Sequence, residues 1–257
     1  MPSVDIAPYH ALLAELTAAS GPILRQHFWN PDLVVEQKVD QTPVTVADRD
    51  AEAAMRRIIN ARFPEHGILA EEYGPERPEA EWTWVLDPID GTKAFVHGVP
   101  LFGTLIGLLH EGTPVLGAIH QPILNLMCVG DGEVTTLNGK PVRMRDTRSI
   151  AEATLLTTCM MDPPQRYDIA AWKRLTTTAG LVRTWGDCYG YLLVATGQAD
   201  IMCDAVMNIW DVLPLVPIIR GAGGLITDWH GGEIGDQKSC IAANPRLHRM
   251  ALDLLLT

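Results

Sequence analysis

The sequence is short of positive charge, of long apolar runs and of paired cysteines. Its 257 residues include 20 Lys and Arg against 31 Asp and Glu, which gives a formal net charge of −11. Because nucleic-acid binding needs basic residues that displace counterions from phosphates, this balance disfavours nucleic acids and anionic membranes as partners. No run reaches the roughly 18 apolar residues of a membrane span, and no secretory signal pattern is visible. The five cysteines form no CxxC pair, which favours reduced thiols, and we expect a cytoplasmic protein.

Several catalytic classes also lack their signatures. None of the four serines lies in a GxSxG elbow, and the sequence contains no GxxxxGK[ST] phosphate loop and no HExxH zinc motif. The eight histidines show no paired ligand spacing. These absences disfavour serine hydrolases, P-loop proteins and zinc peptidases. An acidic chain can still bind an anionic substrate if a few of its carboxylates hold cations.

Hydrophobic residues make up 47% of the chain, enough for a large buried core. The spacing of apolar residues predicts helices over 9–28 and 45–63, and β-prone runs separated by Gly-rich turns follow. In the second half, predicted strands and helices alternate. We therefore expect an α/β (α+β) protein, one domain over 1–257 with two subdomains at approximately 1–146 and 147–257.

The most informative segment is 87–92 (DPIDGT), which ends a predicted buried strand. Its proline has no N–H to donate, so the strand stops there and Asp87 and Asp90 can converge at the edge. Gly91 permits close approach of the backbone, and a helix starting near Thr92 would offer free N–H groups to a phosphate. The alternative is an ordinary strand-to-helix turn in which one of the two acids caps a helix.

Three further acidic segments could join this pair. Glu71 and Glu72 follow a short apolar run, Asp48 lies near the start of the second helix, and Asp211 opens an apolar helix over 210–220. Each has an ordinary explanation: an exposed acidic pair, a capping box, or an acid that complements the helix dipole. Together they supply hard oxygen ligands without His or Cys, and this chemistry suits Mg²⁺ rather than zinc.

These motifs resemble the inositol monophosphatase family of magnesium-dependent, lithium-sensitive sugar phosphatases. The resemblance rests on 87–92, on the Trp-Asp pair at 210–211 and on the Ala-Gly-Gly at 222–224, and 39–48 resembles the family's active-site loop and helix start. The motifs occur in order over most of the chain. The resemblance implies a layered αβαβα sandwich and a small phosphomonoester substrate.

The resemblance also implies residue roles. Two or three Mg²⁺ ions would bind to the side chains of Glu71, Asp87, Asp90 and Asp211 and to the carbonyl of Ile89. Glu71, and Thr92 oriented by Asp48, would position and deprotonate a water that attacks phosphorus in line without a phosphoenzyme. The N–H groups of Gly91 and Thr92 would hold the phosphate oxygens.

Two further expectations are carried over from the family. Lys38 and Asp40 could close a mobile loop over a third ion. The family suggests a homodimer whose interface could use the apolar runs 101–109 and 122–127, although core strands are the commoner explanation of such runs.

A second stretch, 183–191 (RTWGDCYGY), departs from the inositol phosphatases, which typically have a small residue where this sequence has Asp187. Together with 71–74 and 93–95 it resembles the histidinol-phosphate phosphatase branch. A carboxylate there makes sense, because histidinol carries an ammonium and an imidazole whereas inositol is neutral. The other explanation of Asp187 is a helix cap before 188–195.

Asp204 lies seven residues before Asp211, where the family usually has a hydroxyl-binding acid, and its alternative is a surface acid at a strand end. The residues expected to bind substrate are Asp90, Gly91, Thr92, Lys93, Arg183, Gly186, Asp187, Asp204 and Asp211. The expected substrate is histidinol phosphate. The alternatives are an inositol or broad sugar monophosphatase, a 3′,5′-bisphosphate nucleotide phosphatase, which needs extra basic contacts, and a non-catalytic protein that kept the fold.

Overall fold

The structure, a computed structural model, describes residues 6–37, 43–160 and 168–256. The helices are α1 (Ala7–His27), α2 (Val46–Arg62), α3 (Thr92–Val96), α4 (Ile169–Thr178), α5 (Asp187–Ala195), α6 (Ile209–Val212), α7 (Leu215–Gly221) and α8 (Pro245–Leu256). A two-stranded ribbon of β1 (Val35–Gln37) and β2 (Pro43–Thr45) lies between α1 and α2 in sequence. Within the described ranges, no helix is long and apolar enough to cross a membrane.

The first sheet has seven strands. They are β3 (Gly67–Ala70), β4 (Trp82–Asp90), β5 (Gly103–His110), β6 (Thr113–Gln121), β7 (Leu126–Gly130), β8 (Thr135–Leu137) and β9 (Lys140–Val142), neighbours in that order. Only β3 and β4 pair in parallel. Asn138 and Gly139 join β8 to β9 as a hairpin, and their φ values of 49° and 76° are the positive ones that such a turn needs.

The second sheet has five strands. They are β10 (Thr154–Leu156), β11 (Leu181–Arg183), β12 (Ile201–Met207), β13 (Leu225–Thr227) and β14 (Lys238–Ala243), in the spatial order β11-β10-β12-β14-β13. β10 pairs in parallel with both β11 and β12, whereas the β14 pairings are antiparallel. In sequence, the last described strand of the first sheet ends at Val142, and the first strand of the second sheet begins at Thr154. The subdomain boundary near 146 stays a prediction.

Helices and sheets alternate in five layers. α1 and α2 share one buried core with the outer face of the first sheet. Side chains of α5 and α7, Tyr191 and Ile218 among them, are buried between the sheets with Leu105 and Met202. α4 and α8 share another core with the outer face of the second sheet. This order confirms the predicted αβαβα sandwich.

The middle layer lies very close to the first sheet. A Cβ at Gly117 would lie 1.9 Å from the carbonyl oxygen of Pro214, and one at Gly130 would lie 2.4 Å from the Cα of Ile218. Both distances are shorter than any real contact, so only glycine allows the chain between α6 and α7, and the start of α7, to rest on β6 and β7.

The structure changes one expectation and confirms another. The single helix expected over 210–220 is divided into α6 and α7, because Pro214 has no N–H with which to continue the hydrogen bonds of α6. The run 101–109 lies mostly in β5, whose residues are buried, and this confirms the core-strand interpretation of that run. The homodimer stays a prediction.

Candidate active site

The pairing of β4 with β5 is irregular where the acidic segment begins. The register shifts between Asp87 and Asp90. The carboxylate of Asp87 is buried and turns back on its own chain, where its Oδ1 accepts the N–H of Ile89 at 2.9 Å. Both acids lie at the same edge of the sheet, with their oxygens close together.

Asp211 of α6 completes a group of three carboxylates. Oxygens of Asp87, Asp90 and Asp211 all lie within 4.8 Å of one another. Asn208, the N-cap of α6, holds Asp211 by donating its N–H to the Oδ2 atom at 2.9 Å. The start of α5 holds Asp90, because the N–H of Cys188 donates to its Oδ2 at 2.6 Å. Elements from both halves of the chain therefore fix the group.

Three like charges at this separation are unfavourable without a cation. Burial and the charge of Glu71 raise the pKa of Asp87 well above its ordinary value. Burial and the charge of Asp187 do the same to the pKa of Asp90, and burial raises the pKa of Asp211 to about 6. Closely spaced carboxylate oxygens, with no His or Cys in the group, are a donor set that fits Mg²⁺.

A cavity of about 540 Å³ opens beside these acids. The predicted site residues that line it are Glu71, Asp87, Ile89, Asp90, Gly91, Thr92, Lys93, Gly186, Asp187 and Asp211. Thr158, Thr184 and Asn208 also line it and were not expected. Asn208 carries a usable signal, since an Asn three residues before an Asp is a capping-box pattern. Thr158 belongs to no motif, and Thr184 lies within the 183–191 stretch without having been assigned a role there.

Gly91 joins β4 to α3 in a backbone conformation that favours glycine. Its φ is 91°, and a Cβ there would lie 2.9 Å from the carbonyl oxygen of Leu101 and 3.1 Å from Oδ2 of Asp187. The hydroxyl of Thr92 donates to the carbonyl of Ile89 at 3.0 Å. The missing side chain thus keeps open the space between the start of α3 and the start of α5.

Asp48 forms the capping box of α2, and its expected role in orienting Thr92 stays a prediction. Its Oδ2 accepts the N–H of Thr45 at 2.8 Å and the Thr45 hydroxyl at 2.7 Å, the capping box that was the alternative explanation. An acid at the third position of a helix reaches back to the cap with one oxygen, whereas the other oxygen of Asp48, Oδ1, is buried without a hydrogen-bond partner among the described residues. Burial raises the pKa of Asp48 to about 7. Lys38 and Asp40 lie outside the described residues.

The start of α5 forms another part of the cavity wall. Asp187, the first residue of that helix, lines the cavity with a φ of 51°, and its N–H donates to Oγ1 of Thr158 at 2.8 Å. Burial and the charge of Asp204 raise the pKa of Asp187 to about 7, whereas Lys93 lowers it. Asp187 is therefore a further acid at the cavity, near enough to Asp90 for its charge to raise the pKa of that residue.

Asp204 and Arg183 do not line the cavity, which corrects the predicted pocket. Asp204 is only 4% exposed within β12, so it is not a surface acid either. Its Oδ1 accepts the N–H of Thr158 at 2.7 Å and its Oδ2 accepts the hydroxyl of Tyr191 at 3.2 Å. Arg183 is exposed at the end of β11, where its Nη1 donates to the carbonyl of Val182 at 2.8 Å.

A layered αβαβα sandwich with clustered acids beside an open cavity has the form of a metal-dependent phosphatase. Residues 5–256 match the inositol monophosphatase family, and the chain belongs to that family. It is therefore a phosphatase, a hydrolase of phosphoric monoesters. The family is metal-dependent, typically on Mg²⁺, in agreement with the donor set described above.

Relatives within the family carry different substrate names. The chain is 37% identical over 249 residues, 95% of each sequence, to a histidinol-phosphatase of Chlorobaculum parvum. It is 31% identical over 251 residues to an inositol-1-monophosphatase of Synechocystis sp., which covers 95% of this chain and 88% of that one. The solved structure of an inositol monophosphatase from Zymomonas mobilis matches with a TM-score of 0.86 and 35% identity, over 99% of this chain and all (100%) of that one.

Proposed function

We propose that this chain is a Mg²⁺-dependent phosphatase of L-histidinol phosphate. The observation that carries the proposal is the position of Asp187, which lines the same cavity as the acidic group, next to Gly91. A carboxylate at that place suits a leaving group with an ammonium and an imidazole, whereas it offers no charge partner to a neutral polyol. The similarity to a histidinol-phosphatase over nearly the whole chain supports the same substrate.

We infer that the metal ions bind to the carboxylates of Glu71, Asp87, Asp90 and Asp211 and to the carbonyl of Ile89. What the ions supply when bound is Lewis acidity, which activates water and stabilises the departing oxygen. The hydrogen bonds from the N–H groups of Asn208 and Cys188 hold two of these acids in place before any ion arrives. The site is therefore largely formed by the fold itself.

The remaining cavity residues have roles that follow from their donors and acceptors. Glu71 lines the cavity near Asp87 and is the group that we propose accepts the proton of the attacking water. The Thr92 hydroxyl gives its hydrogen to Ile89, so its oxygen stays able to accept a hydrogen bond from that water. The Lys93 ammonium lies at the same cavity, where it can neutralise part of the phosphate charge.

The proposal is tested by phosphate release from histidinol phosphate, inositol 1-phosphate and a 3′,5′-bisphosphate nucleotide, each with Mg²⁺ and with EDTA. We expect Mg²⁺-dependent release with the highest kcat/KM on histidinol phosphate. A preference for inositol 1-phosphate would favour the alternative, an inositol-1-monophosphatase or a broader sugar phosphatase, which the similarity to the Synechocystis enzyme supports.

The variant Asp187→Asn keeps the volume of the side chain and removes its charge. We expect KM for histidinol phosphate to rise about 30-fold, because a hydrogen bond to a charged group contributes about 1.5–3 kcal/mol. KM for inositol 1-phosphate should stay close to the wild-type value. Asp146→Asn, on an exposed side chain outside the cavity, is the matched control. Equal effects on the two substrates would remove the assignment of Asp187 to the cationic leaving group.

A further inference from the structure

Asp187 adopts a backbone conformation that is uncommon for residues other than glycine. Its φ of 51° lies in the left-handed region, where the Cβ of a residue other than glycine crowds the carbonyl oxygen. Such a conformation persists only where neighbouring groups hold it, and it recurs at sites whose side chains must point in one direction. The question is which residues of this chain hold Asp187.

One neighbouring residue holds it directly. Thr158, two residues after β10, accepts the N–H of Asp187 on its Oγ1 at 2.8 Å. The preceding Gly186 rests against the same threonine, because a Cβ on that glycine would lie 2.3 Å from the Cα of Thr158. The hydroxyl and the backbone of Thr158 thus both contact the turn that directs the Asp187 carboxylate to the cavity.

Thr158 is in turn held in place by a hydrogen bond to a buried carboxylate. Its N–H donates to Oδ1 of Asp204 at 2.7 Å, and the hydroxyl of the fully buried Tyr191 donates to Oδ2 of the same carboxylate at 3.2 Å. Tyr191 lies on α5, the helix that Asp187 begins. The contacts therefore run from the interior of β12, through Thr158, to the first residue of α5.

We propose that Thr158, held by Asp204, is the positioning residue that sets Asp187 and with it the selection of a cationic leaving group. The proposal rests on the function proposed above, in which Asp187 contacts that group. It gives Asp204 a role through Thr158 instead of a contact with substrate, in agreement with its burial and with the orientation of its two oxygens.

Substitution of Thr158 by valine or by serine distinguishes the effect of the hydroxyl from the effect of the side-chain shape. Thr158→Val is nearly isosteric and removes the acceptor of the Asp187 N–H, and Thr158→Ser keeps that acceptor. We expect Thr158→Val to raise KM for histidinol phosphate about fivefold or more, and to raise the KM for inositol 1-phosphate by a clearly smaller factor. Thr158→Ser should restore the wild-type KM. Thr154→Val makes the same chemical change at the other end of β10 and should leave both substrates unaffected.

Substitutions at Asp204 show whether this residue acts by positioning Thr158 or by the effect of its own charge on the substrate. Asp204→Asn keeps an oxygen that can accept the N–H of Thr158 and removes the negative charge, so positioning predicts nearly wild-type selectivity. Asp204→Ala removes the acceptor and should lower the preference for histidinol phosphate as Thr158→Val does. If Asp204→Asn lost selectivity as fully as Asp187→Asn, Asp204 would act by its charge and the proposal would be overturned. Thermal unfolding of each variant separates these effects from loss of the fold.

Different measurements would contradict the proposed substrate and the proposed positioning role of Thr158. A wild-type protein without preference for histidinol phosphate contradicts the proposed function and, with it, the selectivity that Thr158 is said to set. A wild-type preference that Thr158→Val leaves unchanged, in a folded variant, contradicts the positioning role alone. In that case Asp187 would hold its conformation without the threonine hydroxyl.

Discussion

Glu52 of α2 offers the sharpest test of how the fold supports Glu71. The Glu52 side chain is fully buried, and its carboxylate accepts the N–H of Glu72 at 2.8 Å and the N–H of Tyr73 at 3.1 Å. It also forms an ion pair with Arg56 one helical turn later, Nε to Oε1 at 2.8 Å. The Glu52 carboxylate thus binds the backbone of the two residues directly after Glu71 to α2, and Arg56 adds a contact with the Gly74 carbonyl.

The loss expected for Glu52→Ala follows from these contacts. The substitution leaves two N–H groups without their acceptor and removes one of the acceptors of the largely buried Arg56 guanidinium, which keeps its contacts with Glu76 and the Gly74 carbonyl. Removing one partner of a buried, hydrogen-bonded charge pair costs about 3–5 kcal/mol. For a chain of this size that corresponds to a fall in Tm of roughly 10 °C. Glu52→Gln, which retains one acceptor oxygen, should lose about half as much.

Thermal and urea unfolding measure this loss, and calorimetric titration with Mg²⁺ measures its consequence at Glu71. We expect both substitutions to weaken Mg²⁺ binding, Glu52→Ala more than Glu52→Gln. The control is Glu36→Gln, which breaks the exposed pair with Arg49 and should leave the unfolding midpoint at the wild-type value. A Glu52→Ala protein with wild-type Tm and wild-type Mg²⁺ affinity would refute the reasoning.

Two further predictions concern packing and pH. Gly117→Ala places a Cβ 1.9 Å from the Pro214 carbonyl, so we expect a loss of several kcal/mol in urea unfolding, and an unchanged midpoint would contradict the close packing of the chain before α7. The pKa values of Asp211 and Asp187 are raised to about 6 and about 7, so these acids stabilise the metal-free protein below about pH 4 and lose that contribution as the pH rises through 6 to 7. Since Mg²⁺ competes with these protons, the gain in Tm on adding Mg²⁺ should grow from pH 5 to pH 8. A gain independent of pH would contradict this coupling.

The sequence predicted the part of the site that depends on neighbouring residues. The segment 87–92 contains two acids, a strand-ending proline and a flexible glycine within six positions, and such local chemistry needs no knowledge of the fold. The direction of Asp204 was not predictable, because its partner Thr158 lies 46 positions away and reaches it only when β10 pairs with β12. The capping box of Asp48, by contrast, was readable from the local sequence as one explanation of that acid.

The central claim is that the group of Asp87, Asp90 and Asp211 is a Mg²⁺ site for phosphate-ester hydrolysis. Calorimetric titration of Mg²⁺ into the wild type and into Asp90→Asn tests it most directly, with phosphate release measured on the same samples. We predict Mg²⁺ binding and phosphate release for the wild type, and neither for Asp90→Asn. The variant should stay folded in EDTA, because it carries one like charge fewer. Wild-type Mg²⁺ affinity and activity in a folded Asp90→Asn protein would contradict the claim.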